Sequence, residues 1–553
     1  MSKGTFLFLL AACFAVYIAG SILIPLMDID ASQYASISRE MLERSSYLQI
    51  YDQGKDYLDK PPMLFWLSAL SMKIIGVYDW SYRIPSLLFL GIAVAATYGF
   101  AKQHYSIQVA RLAALILASS QALFLIAHDV RTDTMLMGWV MASIYLLSKW
   151  ESSSKSIDFF FAIIAIAGGM MTKGPIALVV PVLCFVPHWM GLKKWTLLVK
   201  PIYILGIVFL AILLIPMSWG LYQQYDMHPG KIIHGVAIQS GLKFYYWTQS
   251  FGRYTGENSF HEMGYFTFLL ENMFWSFLPW IFVFLWALGD KIMSFFKDGF
   301  FGPTNERISF FGFVLTYLIL SRSQAQLPHY IFIVFPLAAI ITAAHWQDVL
   351  WGQQTFSIRL KLFSKFHLFL FVILCIVLGG ILFIPFGMAP LWLILVMIIS
   401  IVFSLILFIS KINLGVKWFI ASVVIMLTIN TALNFHFYPH LLKYQWGNQL
   451  ANVIKKEGWN KNKLVVYDLP NYDSFHFYGQ HIFKSVENKD LLQGGDWVVT
   501  STDMSKKLLQ EFPRSVIKYK GERFHVTMLT LPFLNPNTRP NEVYTFEVIE
   551  LIN

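Results

Sequence analysis

The sequence predicts an all-α polytopic membrane protein with interfacial helices, joined to a small C-terminal α/β domain, and three observations carry that reading. Of its 553 residues 56% are hydrophobic and only 13% are charged, with a mean hydropathy of +0.56, far from a soluble globular composition. Apolar runs of about 20 residues, the length that crosses a bilayer, recur between charged connections. After residue 435 that pattern stops, and short β-branched and aromatic runs take over.

Taken in order, the apolar runs lie near 5–26, 82–101, 108–127, 134–149, 157–172, 174–191, 201–220, 264–289, 308–321, 329–347, 367–386, 389–410 and 415–434. They make about thirteen crossings. The first follows Lys3, is too long for a signal-peptide core and has no small-residue cleavage site, so it is expected to stay as a span. An odd number of spans puts the two termini on opposite sides. With the N-terminus cytoplasmic, the inner connections carry Lys102 and Arg111, Lys149 and Lys155, Lys193, Lys194 and Lys200, Lys291, Lys297 and Arg307, Arg359, Lys361 and Lys365, then Lys411 and Lys417. Each has at least two basic residues, as the positive-inside rule requires. The net charge of +10 is accounted for in this way, and a nucleic-acid partner is excluded.

Three features then share the outer side: loop 27–81, loop 221–263 and the chain after 435. The expected division is a membrane domain over 1–434 and an extracytoplasmic α/β domain over 435–553. In the latter KLVVYDL, FHFYG, DWVVTS, SVIKYKG, FHVTMLTL and VYTFEVIEL have strand composition, and 444–457 and 503–511 have helical composition. Cys13, Cys184 and Cys375 all fall in apolar runs, so neither a disulfide framework nor a zinc cluster is indicated.

The first outer loop is the most charged stretch of the N-terminal region. Ala31 to Arg44 carries Tyr34, Ile37, Met41 and Leu42 at helical spacing, which predicts a surface helix with one apolar stripe and one charged face. Pro61-Pro62 stops any helix, and MLFWLSALSMKIIGV follows as a second interfacial or re-entrant segment. The short run 157–172 ends in Lys173-Gly174-Pro175, which reads as a helix stopping inside a protein-lined cavity.

Chemistry-bearing residues gather at the outer mouths of spans. Asp30 stands where the first span ends, either as an N-cap or as a working carboxylate. Asp129 and Asp133 flank Arg131 in HDVRTDTML, where charge at membrane depth is paired or functional. Lys60, Arg131, Lys173, Arg253 and Arg322 run against the positive-inside trend; they suit an anionic ligand, most simply a phosphate, or else lipid headgroups. No short-range spacing of His128, His261, His329 or His476 marks a metal site.

Asp30, then YASISREM at 34–41, then Tyr57-Leu58-Asp59-Lys60-Pro61-Pro62, resembles the bacterial lipid-linked-sugar glycosyltransferases of the GT-C fold, in the protein O-mannosyltransferase-like group, and among them the 4-amino-4-deoxy-L-arabinose lipid A transferases. RTDTML at 131–136, TKGP at 172–175 and LPHYIFIVFP at 327–336 extend the resemblance over essentially the whole chain. It implies a transferase moving a sugar from a polyprenyl phosphate to a lipid A-like glycolipid, with inversion, or the same chemistry onto protein Ser/Thr or another glycan. A lipid or sugar transporter without catalysis is the reading from another class. By the resemblance Asp30 and Asp133 are the catalytic carboxylates, and Tyr57, Lys60, Arg253 and Tyr330 contact the carrier phosphate. Asp59, Arg131, Lys173 and Arg39 would support them. No cofactor is required, a divalent ion beside Asp59 and His261 stays open, and a monomer in the bacterial inner membrane, with its C-terminal domain in the periplasm, is expected. The chain departs from the family pattern at Ala31, Gln33, Asp59 and Gln326, where Glu, Arg, Glu and Lys are usual.

Overall fold

The computed structural model describes residues 1–552 except 234, 253–263, 305, 352–357 and 471–472. Its helices are α1 (Lys3–Leu23), α2 (Asp30–Arg44), α3 (Met63–Ile75), α4 (Asp79–His104), α5 (Ile107–Ala118), α6 (Gln121–His128), α7 (Thr132–Ser153), α8 (Ser156–Lys173), α9 (Ile176–Gly191), α10 (Ile202–Leu221), α11 (Phe268–Ser276), α12 (Ile281–Asp298), α13 (Ile308–Ser321), α14 (Phe335–His345), α15 (Ile358–Phe383), α16 (Leu391–Ile409) and α17 (Leu414–Ala432). Every predicted apolar run is thus a helix or two helices in succession.

Among the described residues eight helices are long and apolar enough to cross a membrane, or nine if α5 and α6, bent by 53°, count as one crossing. The bend falls at Ser119 and Ser120, whose hydroxyls donate to Leu115 O and Leu117 O and compete with the helical ladder. The run 264–289, predicted as one span, is divided into α11 and α12 around Pro279, which has no N–H to continue a helix. α3, α9 and α13 are apolar but shorter than a full span.

Small residues set the helix contacts, as they do where no hydrophobic effect drives helices together in lipid. A Cβ on Gly138 of α7 would lie 2.6 Å from Phe89 O of α4, and one on Gly168 of α8 would lie 2.5 Å from the Trp139 ring. Arg83 of α4 is fully buried and donates to Ser21 O, Ile24 O, Pro25 O and His128 O. It gathers the carbonyl ends of α1 and α6, where helix dipoles favour a cation.

α2 forms where its periodicity predicts, but both faces are covered. Tyr34, Ile37 and Met41 pack with Phe65, Met72, Tyr82 and Phe89, while Arg39 and Glu40 on the charged side are also buried. The cause is the C-terminal domain, which sits on that side. Ser474 donates through N and Oγ to Asp28 at 2.9 and 2.8 Å, Gln445 accepts from Asp28 N at 2.9 Å, and Gln53 donates to Asp473 at 2.8 Å.

That domain holds α18 (Trp446–Glu457), α19 (Asp473–Gly479), α20 (Thr502–Glu511) and one mixed sheet. Two hairpins precede it in the chain, β1–β2 (Tyr51–Asp52, Lys55–Asp56) and β3–β4 (Lys231–Ile233, Val236–Ile238). The sheet strands are β5 (Leu464–Tyr467), β6 (Lys484–Val486), β7 (Trp497–Ser501), β8 (Val516–Arg523) and β9 (Tyr544–Glu550) in the order β6-β5-β7-β9-β8. β5 is parallel to both neighbours, and β9 is antiparallel to β7 and β8. Two strand-like runs prove otherwise. FHFYG lies in α19, where Phe475 stacks on Phe483 at 3.8 Å and Gly447 of α18 admits Ser474. FHVTMLTL forms a turn into the short helix Leu531–Leu534, because Phe524 stacks on Phe533 at 3.7 Å instead of pairing in the sheet.

Candidate active site

The segment from Tyr57 to Pro62 is held on a fixed course by the second outer loop. Gln224, just beyond α10, donates to Ile50 O at 2.7 Å and to Asp56 Oδ1 at 2.9 Å, and it accepts from Ile50 N at 3.0 Å. This clamps the β1–β2 hairpin, and Tyr57 N donates back to Ile50 O at 3.1 Å. Gln249 then donates to Asp59 O at 2.5 Å, and Pro62 caps α3. Tyr57 is buried edge-on to Phe65 at 5.9 Å, and burial holds its phenol well above the ordinary range, so it stays a neutral donor.

Across from it, α7 begins and α8 ends. Asp133 lies in the first turn of α7, where free N–H groups favour a carboxylate. α8 stops at Lys173 because Gly174 takes a φ of +99°, a conformation costly to other residues. Lys173 Nζ therefore meets Asp133 Oδ1 at 2.5 Å and lies 4.0 Å from the centroid of the Tyr330 ring. His329 Nε2 stands 3.5 Å from Asp133 Oδ2. Beside this group Asp30 Oδ2 receives Arg131 Nη1 at 2.6 Å, and Arg131 Nε reaches Asp129 at 3.2 Å. Arg131 stands two residues before Asp133, so the three ion pairs are joined through the first turn of α7.

These elements enclose a cavity of about 210 Å³. Its polar end is formed by Asp59, Lys60, Asp133, Lys173, Gln249 and Tyr330, and its walls by Leu136, Ile176, Val179, Ile319 and Ile333. The two lysines differ. Lys173 is neutralised by a nearly buried carboxylate, whereas Lys60 has no ion pair among the described residues. A cation at the polar end of an apolar chamber suits an anionic headgroup carrying a hydrocarbon tail.

Five of the predicted site residues, Asp59, Lys60, Asp133, Lys173 and Tyr330, therefore line one cavity, and Tyr57 adjoins Lys60 in a smaller pocket. Arg39 does not join them: it pairs with Glu43 at 2.5 Å under the C-terminal domain. Arg253 and His261 lie outside the described residues, and so does half of the expected ion site. Among the described residues no three His, Cys, Asp or Glu side chains cluster as metal ligands. The departures at Ala31, Gln33 and Gln326 are absorbed locally. Ala31 is fully buried, Gln33 donates to Asp52 at 2.7 Å, and Gln326 donates to Ser321 O and Ser323 O. Sequence reasoning weighed His329 only as a metal ligand and did not name Gln224 or Gln249. The signal for His329 was its place in LPHY; the two glutamines act largely through main-chain groups far away in sequence and leave no local pattern.

The chain can now be set beside known proteins. Residues 59–219 match the family model described as dolichyl-phosphate-mannose-protein mannosyltransferase. The undecaprenyl phosphate-α-4-amino-4-deoxy-L-arabinose arabinosyl transferase of Aeromonas hydrophila is 26% identical over 362 residues, 64% of this chain and 62% of that protein. The enzyme of the same name from Serratia proteamaculans is 25% identical over 69% of this chain and 66% of its own. The chain thus aligns with just under two thirds of the length of these curated relatives. In structure it is similar to ArnT from Cupriavidus metallidurans, crystallised with undecaprenyl phosphate, with a TM-score of 0.75 at 16% identity over 100% of this chain and 99% of that one. The apo oligosaccharyltransferase of Archaeoglobus fulgidus gives a TM-score of 0.51 at 11% identity, covering 92% of this chain and 71% of that one. The protein is a multi-pass membrane protein with the GT-C glycosyltransferase fold, similar in sequence and in structure to the aminoarabinose transferases.

Proposed function

We propose that the chain transfers a sugar from a polyprenyl phosphate to a lipid A-like glycolipid on the periplasmic face of the bacterial inner membrane, as a monomer with its N-terminus cytoplasmic. The observation that carries this is the placement of Lys60, which makes no ion pair among the described residues, at the polar end of an apolar cavity. The phosphate of the carrier binds Lys60, with Tyr57, Tyr330 and Arg253 assisting, and the isoprenoid tail follows the aliphatic walls into lipid. Asp59 lines the same end beside Lys60.

In the reaction the acceptor oxygen attacks the anomeric carbon as the bond from that carbon to the phosphate oxygen breaks, with inversion. Charge develops in two places, positive on the sugar and negative on the departing phosphate. Lys60 stabilises the second in an environment poor in water, where such interactions gain strength. Asp30 takes the acceptor proton. Arg131 aligns its Oδ2, and Oδ1 is unengaged among the described residues. Asp133 holds Lys173 in place as the second working carboxylate, with His329 Nε2 3.5 Å from its other oxygen. No divalent ion is required to neutralise a monophosphate that already meets these cations.

Asp30→Asn is expected to lower transfer about a thousandfold while leaving carrier binding intact. Equal activity of the variant would support a transporter in place of an enzyme. The matched mannosyltransferase segment supports a second reading, the same chemistry on a protein hydroxyl. Mass spectrometry of lipid A and of glycoproteins from a deletion strain separates the two, since an unchanged lipid A profile removes the glycolipid acceptor.

A further inference from the structure

The seam between the C-terminal sheet and the membrane helices holds a groove of about 970 Å³ that shares no lining residue with the cavity at Lys60. One wall is Phe386, just past α15, and the others come from Lys443, Tyr444, β8 and Arg539. Its lining carries Lys443, Lys520 and Arg539 against one acid, Glu522. Lys443 makes no ion pair among the described residues, and Lys520 is 3.5 Å from Glu547. Arg539 is held rigidly: Nε donates to Phe533 O at 2.9 Å, Nη2 donates to Pro385 O, and its Cζ lies 4.6 Å from the centroid of the Phe386 ring. Nη1 is left uncommitted among the described residues.

The second observation is an apolar surface on the domain side. Phe533 is buried between Phe524 and Phe386, and this turns Met528 (69% exposed) and Leu531 (81%) outward. Two residues beyond Phe386, Met388 is 76% exposed, and Leu391, the first residue of the membrane-length helix α16, is 71% exposed. Aliphatic side chains therefore lie on both sides of the Phe386–Phe533 contact, with three cations immediately behind. That is the profile of a segment at headgroup level, where apolar groups enter the acyl region and Lys and Arg meet phosphate.

We propose that this seam binds an anionic, phosphate-bearing membrane lipid. Its phosphate lies among Lys443, Lys520 and Arg539, and its chains run along Met388, Leu391 and Leu531, so the C-terminal domain rests on the bilayer through a specific lipid. The assignment does not depend on the reaction proposed for the other cavity.

The test is native mass spectrometry of the detergent-solubilised full chain with added phosphatidylglycerol, phosphatidylcholine or a diphosphorylated glycolipid. At least tenfold preference for either anionic lipid over phosphatidylcholine is expected, with loss of that preference in the Lys443→Glu/Lys520→Glu double variant and its retention in Lys518→Glu, whose lysine pairs with Glu550 outside the groove. Preference for the glycolipid alone identifies the lipid as acceptor-like, and equal binding of both identifies a general anionic lipid. Equal binding of all three lipids, or an unaffected double variant, overturns the proposal. Because surface lysines tolerate substitution, melting temperature verifies that the double variant is folded. A spin label at Leu531→Cys in lipid nanodiscs gives an independent reading: oxygen should reach it better than a water-soluble nickel complex, and the reverse order removes the membrane contact.

Discussion

At the scale of single residues, the site is decided by which charges are already spent. Lys173, Arg131 and Asp133 are committed to partners within the protein, and among the described residues lining the cavity this leaves Lys60 as the cation with an open side. Lys60→Ala is accordingly expected to weaken binding of a short-chain polyprenyl phosphate by about 1.5–3 kcal/mol, the range for a hydrogen bond to a charged group, or roughly 10- to 150-fold in Kd by titration calorimetry. Lys173→Ala should act differently, because it strands a nearly buried carboxylate. Its main effect should be a fall in melting temperature, with weaker carrier binding as a secondary result. These roles were only partly legible in sequence. Both lysines stood in recognisable motifs, but nothing local distinguishes a neutralised lysine from a free one. The partner of Lys173 is 40 residues away.

At the scale of elements, helix contacts and the seating of the C-terminal domain can be tested separately. Gly138→Ala drives a methyl against Phe89 O, a backbone atom that cannot rotate away. It should destabilise the detergent-solubilised protein by about 1–3 kcal/mol, read as a lower melting temperature. Asp28 tests the seating of the domain. Burial pushes its carboxyl up from 3.8 to about 6, only partly offset by hydrogen bonds from Ser32 and Ser474. The folded state then binds the proton more tightly than the unfolded state, so the contribution of Asp28 is fully present below about pH 4 and is lost as pH rises toward 6. Asp473 shifts in the same direction, whereas burial lowers His476 to about 4, which acts with the opposite sign. The informative quantity is therefore the difference between variant and wild type. Asp28→Asn, which mimics the neutral acid, should gain melting temperature relative to wild type as pH rises from 4 to 7, and a flat difference would falsify the assignment. α2 shows why periodicity reached only half of this. Its apolar stripe was readable, but the cover on its charged face comes from residues more than 400 positions later.

At the scale of the whole molecule, the orientation in the membrane is open to a direct chemical test. The buried Cys13 and Cys184 and the half-buried Cys375 are first replaced. Lys506→Cys, on exposed α20, should then react with a membrane-impermeant maleimide in intact spheroplasts, and Lys297→Cys, at the end of α12, only after lysis. The reverse pattern would place the C-terminal domain in the cytoplasm and remove the periplasmic reaction with it.

Hydropathy and charge by themselves determined that the chain crosses a membrane many times, where its helices run, and that a sheet domain follows them. These properties are sums over local composition, and each span must satisfy its own backbone in lipid. The order of motifs also marked Asp30, Lys60, Asp133, Lys173 and Tyr330 as one group. Only the tertiary structure decided which of them share a cavity, that Gln224 and Gln249 hold the loop in place, that α2 is enclosed, and that FHVTMLTL turns away from the sheet. Each of these rests on contacts between residues far apart in sequence, and the energies of such contacts depend on distance and solvent exclusion, which no local pattern of side chains encodes.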